Sequence, residues 1–249
     1  MWSQITPYPL YEISQRQDDT IRIVVIGDSW ADNHHVVGAD SLLEFMVSRH
    51  VNRSVICRSS GIGGEKSRSV YQRLFSVKDN GLRPLMYNGV DYGIIFTGIN
   101  DAQANLGVRQ FVYYYKLIIE FMLYNHIRPV IIEIPDINLY KVYGKKPVKD
   151  KICDFLRSCM TGCSMYKFRD YRKALFEMLI NEGYRNKVLY VKAECWNGGK
   201  ENIALELFCE DQVHLNKLGY EKLDSCIASM IISDLTCSRY STSINQPVD

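Results

Sequence analysis

"IRIVVIGDSW", residues 21–30, decides how the rest of the chain is read. Apart from Arg22, every residue before Gly27 is β-branched and apolar. A run this apolar, without alternating polar positions, fits a strand buried on both faces, as in a parallel sheet covered by helices. Gly27 breaks the run, and Asp28 and Ser29 are residue types favoured where a helix begins. The stretch therefore reads as strand, turn and helix start, with a serine hydroxyl at the C-terminal end of the strand.

The same alternation continues outward. "SVICRS" (54–59), "DYGIIFTG" (91–98), "RPVIIEIP" (128–135) and "KVLYVKA" (187–193) read as four further strands. Segments with apolar residues at spacings of three and four lie between them, at roughly 38–50, 67–77, 108–126, 165–182 and 216–234. These are the expected covering helices. The tyrosine-rich run "FVYYYKLIIEF" (111–121) falls in one of them and reads as core. Right-handed crossovers then bring the C-terminal ends of all strands to one edge, where ligands of such sheets bind. The chain of 249 residues, 47% of them apolar, is long enough to bury a substantial core, so a single domain over 1–249 is expected. Residues 136–164 break the alternation and read as an insertion beside the active edge, either a solvated loop with a short helix or a cap on a pocket. The polar stretch 236–249 reads as a flexible tail.

Thirty Lys and Arg residues against 28 acidic ones leave a net charge of +2, which offers no broad basic field for nucleic acid. The eight cysteines are scattered and read as reduced thiols. Cys153, Cys159 and Cys163 lack paired C-x-x-C spacing and a nearby histidine, so no metal is expected. The N-terminus has no basic start followed by an apolar stretch, and no apolar run is long enough to span a bilayer. A cytoplasmic protein without a membrane span is expected, or a secreted or periplasmic one if a leader has been trimmed.

"SSGIGGEKS" (59–67) resembles a phosphate cradle but fails its test. A G-x-x-x-x-G-K-[ST] loop needs glycine where Ser60 and Glu65 stand, and the Glu65 carboxylate would repel a phosphate. Its glycines need another use. "TGIND" places Asn100 and Asp101 at the end of the third strand, where the Asn100 amide can donate to an oxygen that becomes negative; an Asx turn or helix cap is the plainer reading. In "EDQVHLNKLGY", Asp211 precedes His214 by three residues. That spacing can bring the carboxylate to the imidazole Nδ1 and leave Nε2 to take a proton, although a surface turn capped by Asn216 also accounts for it. His34 and His35 follow Ser29 closely and read better as substrate contacts than as a base, while His50 and His126 fall at helix ends. Jointly, Ser29, Asn100 and the Asp211–His214 pair would supply a nucleophile, an oxyanion donor and an oriented base at one edge. The glycine loop would then hold an oxyanion through the Gly64 amide, with Gly63 as the alternative.

In these four blocks, "IGDSW", "SGIGGEKS", "TGIND" and "DQVHLNKLGY", the chain resembles the SGNH/GDSL hydrolases over residues 21 to 234. The resemblance implies a flavodoxin-like α/β/α fold of three layers, with a five-stranded parallel sheet in the order 2-1-3-4-5. It also implies cofactor- and metal-free ester hydrolysis by Ser29, His214 and Asp211, with Ser29, Gly64 and Asn100 as the oxyanion hole. Trp30 departs from the small aliphatic residue usual after the serine. The expected substrate is a small-molecule or glycan ester of a short acyl group, such as an O-acetyl ester on a carbohydrate. An O-acyltransferase would use the same residues, and a catalytically silent binding module would keep the fold alone.

Overall fold

Five apolar runs pair as one parallel sheet: β1 (Ile21–Gly27), β2 (Val55–Gly61), β3 (Tyr92–Phe96), β4 (Arg128–Ile132) and β5 (Leu189–Val191), in the order β2-β1-β3-β4-β5. The structure is a computed structural model and describes residues 6–14, 18–105, 107–137, 144, 147–161, 167–198 and 204–243. The strand order agrees with the expectation, while four strands differ in extent: β3 ends at Phe96 and β4 at Ile132, short of the expected 98 and 135. β2 runs on through Gly61 because it pairs with β1 along its whole length, Gly27 opposite Gly61. β5 keeps three residues, since only Leu189 to Val191 find partners on β4.

β1 occupies the centre of the sheet, between β2 and β3. Ile21, Ile23, Val25 and Ile26 are excluded from solvent, each burial contributing about 1.5–3 kcal/mol before entropy is subtracted. The helices form two groups. On one face α1 (Ser29–Val36), α2 (Ala39–Ser48) and α9 (Lys217–Ser243) pack together; on the other lie α3 (Ser67–Arg73), α5 (Ile99–Ala104), α6 (Val108–Tyr124) and α8 (Lys167–Asn181). A short helix, α4 (Arg83–Met86), follows α3. α6 lays Phe111, Tyr114, Tyr115, Ile118 and Met122 inward, so its tyrosines are core.

Within the expected insertion the structure describes α7 (Val148–Thr161); most of 138–146, and 162–164, lie outside the described residues. At the C-terminus, residues expected to form a tail continue α9 as far as Ser243, and 244–249 lie outside the described residues. Among the described residues, no helix is long and apolar enough to cross a membrane.

Candidate active site

Backbone proximity sets the turn after β1. A Cβ on Gly27 would strike the Phe96 carbonyl, and one on Gly61 would strike the Asp28 carbonyl and the Asp32 amide. Glycine at both positions lets β1, β2 and β3 close tightly just where α1 begins. The Asp28 amide donates to Phe96 O (2.9 Å), and the Asp28 carboxylate caps α1 by accepting from Trp30 N (3.0 Å). Ser29 is thereby the first residue of α1, at the positive end of the helix dipole.

The imidazole arrives from the far end of the chain, on the loop before α9. Asp211 Oδ1 accepts from the amides of Val213 (2.9 Å) and His214 (3.0 Å), and Asp211 Oδ2 accepts from His214 Nδ1 (2.5 Å). Hydrogen bonds to the loop backbone and the ring thus set the carboxylate and imidazole together. Ser29 Oγ donates to His214 Nε2 at 2.9 Å, completing a continuous chain from carboxylate to imidazole to hydroxyl. Asn216 finishes the loop: its Oδ1 accepts from Gly219 N (3.0 Å), capping α9, and its Nδ2 donates to the carbonyls of Glu206 and Phe208. The cap and the base orienter are therefore compatible readings of one loop.

Trp30 fastens this loop to α1. Its Nε1 donates to the Val213 carbonyl (3.1 Å), and Tyr220 Oη on α9 donates to the Trp30 carbonyl (2.9 Å). The indole is buried against Phe96 and Trp196.

Asn100, on α5, reaches the same edge, but its amide is already engaged. Nδ2 donates to Asp28 Oδ2 (3.1 Å) and to the Glu65 carbonyl (3.0 Å). Gly64, next to Glu65, has a positive φ of 80° with open space where a Cβ would stand. Asp101, paired with Asn100 in the sequence, turns away to hold the start of α3, accepting from Ser67 N (2.9 Å) and Ser67 Oγ (2.7 Å). Glu65 is tied to buried Arg73 Nη1 (2.7 Å), so its carboxylate braces the glycine loop instead of lining a phosphate site.

The carboxylates respond differently to these surroundings. Burial pushes the Asp28 carboxyl up to about 7, against the lowering effect of the Trp30 amide, with the nearby Asp101 charge adding to the rise. Asp211 moves the other way. Partial burial would raise it, but the hydrogen bonds from the His214 ring and from the His214 and Val213 amides hold it below the usual carboxylate range. Asp211 is thus kept ionised beside the His214 ring.

His34 is not at the edge at all. It is fully buried, with Nδ1 donating to Asp40 Oδ1 (2.8 Å) and Nε2 to Asp224 Oδ1 (3.1 Å), while Ser59 Oγ donates to Asp40. Burial would lower its pKa, but the two carboxylates outweigh that and raise it to about 9. His35 is exposed and pairs with Asp40 Oδ2 (3.0 Å). No hydrogen bond joins either ring to the Ser29 hydroxyl, and buried His34 forms an ionic tie instead of the expected substrate contact. The sequence carries only a faint signal for it, since Asp40 stands near His34 but Asp224 is 190 positions away.

A small recess is lined by Asp28 and Trp30, the chain neighbours of Ser29, with Thr97, Ile99, Ile134 and Pro135. Its volume of about 20 Å3 holds roughly one water molecule. A larger cavity of about 630 Å3 lies at the opposite edge of the sheet, among Glu12, Asp91, Asn125 and His126, and contains none of the groups described above. Chemistry, not size, picks out the Ser29 edge. Among the described residues no cluster of His, Cys, Asp and Glu is arranged to hold a metal; Cys163 lies outside them.

No protein-family model and no curated protein matches the sequence. The fold does find solved counterparts. The psychrotrophic esterase EstA from Pseudoalteromonas sp., in a structure inhibited by monoethylphosphonate, superposes with a TM-score of 0.58 at 16% identity, over 88% of this chain and 100% of that one. A GDSL-like lipase from Bacteroides thetaiotaomicron gives 0.55 at 17% identity, covering 86% and 88%. The chain has the fold of the GDSL/SGNH hydrolases. The acetyl xylan esterase AlAXEase is similar to the same degree, with a TM-score of 0.57 at 16% identity over 86% of this chain and 99% of that one. At these identities the likeness is one of fold, and the chemistry rests on the side chains of this chain itself.

Proposed function

We propose that the protein is a serine hydrolase that cleaves an ester of a small acyl group through an acyl-enzyme, with an O-acetyl ester on a carbohydrate as the substrate class. The observation that carries the reading is the unbroken hydrogen-bonded chain Asp211–His214–Ser29, assembled from residues 185 positions apart. Nothing in the packing of the core requires a hydroxyl and an imidazole to meet at the C-terminal edge of the sheet.

In the proposed cycle His214 Nε2 takes the Ser29 proton as Oγ attacks the ester carbonyl, and Asp211 stabilises the imidazolium. The carbonyl oxygen becomes an oxyanion. It is held by the amides of Ser29 and Gly64 and by Asn100, whose Nδ2 gives up one of its present acceptors to reach it. His214 passes the proton to the departing alcohol. Water then attacks the acyl-enzyme with His214 again as base, and the carboxylic acid and free Ser29 are released.

Two observations favour a short acyl group. The recess lined by Asp28 and Trp30, on either side of Ser29 in the chain, has room for little beyond a methyl group, and buried Trp30 fills space that a smaller side chain would leave open. The acetyl xylan esterase among the structural neighbours supports acetyl on a carbohydrate.

The test is a series of p-nitrophenyl esters from two to twelve carbons. We expect kcat/KM to be higher for the acetyl ester than for the long chains by about tenfold or more, and Ser29→Ala to have no turnover with its melting curve unchanged. Undiminished turnover by Ser29→Ala would refute the proposal.

A further inference from the structure

α7 is oriented inside out. Its apolar residues Val148, Ile152, Phe155, Leu156 and Met160 recur at helical spacing and form one stripe, as the face of an amphipathic helix should. That stripe faces solvent, with exposures of 71, 55, 63, 55 and 86%. The polar face is the one packed on the body of the protein. Asp154 is buried beside Lys167 Nζ at 3.4 Å, and Ser158 Oγ accepts from Asn105 Nδ2 at 3.0 Å. These partners fix the rotation of the helix, so the apolar stripe cannot turn inward without abandoning a buried charge. A contiguous exposed stripe held in place by specific polar contacts marks an interaction surface.

Charge identifies the occupant. At about 100° per residue, Lys151 falls on one margin of the stripe and Lys149 toward the other, between Leu156 and Met160; both are exposed, and among the described residues neither is held in an ion pair. The acidic residues of α7 lie away from it: Asp154 faces the body, and Asp150 projects on the polar side. A second copy of the same face would bring lysines against lysines with no carboxylate at the seam. An anionic lipid surface suits it instead, with the stripe in the acyl boundary and the lysine stems extending along it to reach phosphates. The helix has 14 residues, which at about 1.5 Å each make about 21 Å, too short to span a bilayer and suited to lying in its plane.

We infer that the exposed face of α7 docks the protein on anionic membrane surfaces as a peripheral, in-plane amphipathic helix. This is independent of the hydrolase reading. Asn105, which holds Ser158, ends the helix that carries Asn100, so docking would bring the Ser29 edge close to the lipid surface.

The experiment is co-sedimentation of the full chain with phosphatidylcholine vesicles, with and without phosphatidylserine, at low and high salt. The expected result is partition to the phosphatidylserine vesicles that weakens with salt. Lys149→Glu and Lys151→Glu should each weaken it by roughly fivefold or more. Phe155→Glu with Leu156→Glu should abolish it, with p-nitrophenyl acetate hydrolysis and the melting curve of the vesicle-free protein unchanged, because both side chains are exposed. Ser29→Ala should bind vesicles like the parent, which separates this inference from the hydrolase reading. Absence of binding to anionic vesicles, or binding that the Phe155/Leu156 pair leaves intact, would overturn the inference. So would a dimer dispersed by that same pair without any vesicle binding, which would assign the face to a second copy.

Discussion

Trp30 shows how a single side chain couples two distant segments. Its indole N–H reaches the carbonyl immediately before His214, so the residue next to Ser29 helps to set the position of the imidazole. Trp30→Phe keeps an aromatic ring and removes that donor. We expect a loss of about 1 kcal/mol in stability, typical of one net hydrogen bond, and a lower kcat with KM unchanged, read by steady-state kinetics and chemical denaturation. Asp211→Asn should be far more damaging to turnover, by about 10⁴-fold as in other serine hydrolases that lose the orienting carboxylate, while the exposed loop keeps the protein folded. Asn100→Ala should cost about 10²–10³-fold in kcat, the usual price of one oxyanion donor; a negligible loss would confine Asn100 to bracing Asp28 and Glu65. The meeting of Ser29, Asp211 and His214 was legible because their blocks fall at the ends of predictable elements, which a parallel sheet brings to one edge. The engagement of Asn100 by Asp28 and Glu65 was not legible, since it depends on which rotamer the folded edge selects.

Among the elements, α1, α2 and α9 are joined by the His34 imidazole between Asp40 and Asp224. This tie depends on the ring being charged. With its folded pKa raised to about 9, His34 contributes stability that is fully present below its ordinary value of 6.5 and is lost as pH rises through 9. His34→Gln should therefore be most destabilising near pH 6 and progressively less so toward pH 9.5, measured by thermal melting. A uniform loss at all pH values would show that only packing is at stake. Helix and strand positions followed the apolar periodicity well because burial on the two faces of a central sheet imposes it. Ends were read less well: β2 gained Gly61 through pairing with β1, and α9 ran on into the polar segment beyond residue 235. Pairing partners and helix continuation are tertiary outcomes that local composition does not specify.

For the whole molecule, several buried acids titrate in one direction. Burial raises Asp28 to about 7 and also raises Asp101 and Asp224, so the folded state holds protons that the unfolded chain gives up near pH 4. Stability attributable to these groups falls as pH climbs above about 4, in the case of Asp28 until about 7, and the His34 contribution falls from 6.5 to 9. The protein should melt at a higher temperature near pH 5.5 than near pH 9, and Asp28→Asn should reduce the difference. The architecture itself was legible at this scale from five apolar runs separated by helical segments. The orientation of α7 was not: residues 136–164 read as a loop with a short helix or a cap, and which side of that helix turns inward depends on Lys167 and Asn105, which only the folded chain brings to it.

The central claim is that Ser29 is a nucleophile activated by His214. Treating the full chain with a fluorophosphonate and locating the adduct by mass spectrometry tests it most directly. One adduct is expected, on Ser29, formed at a rate that collapses in His214→Ala; an unmodified Ser29, or labelling that proceeds equally well without the imidazole, would rule out an activated nucleophile at this position.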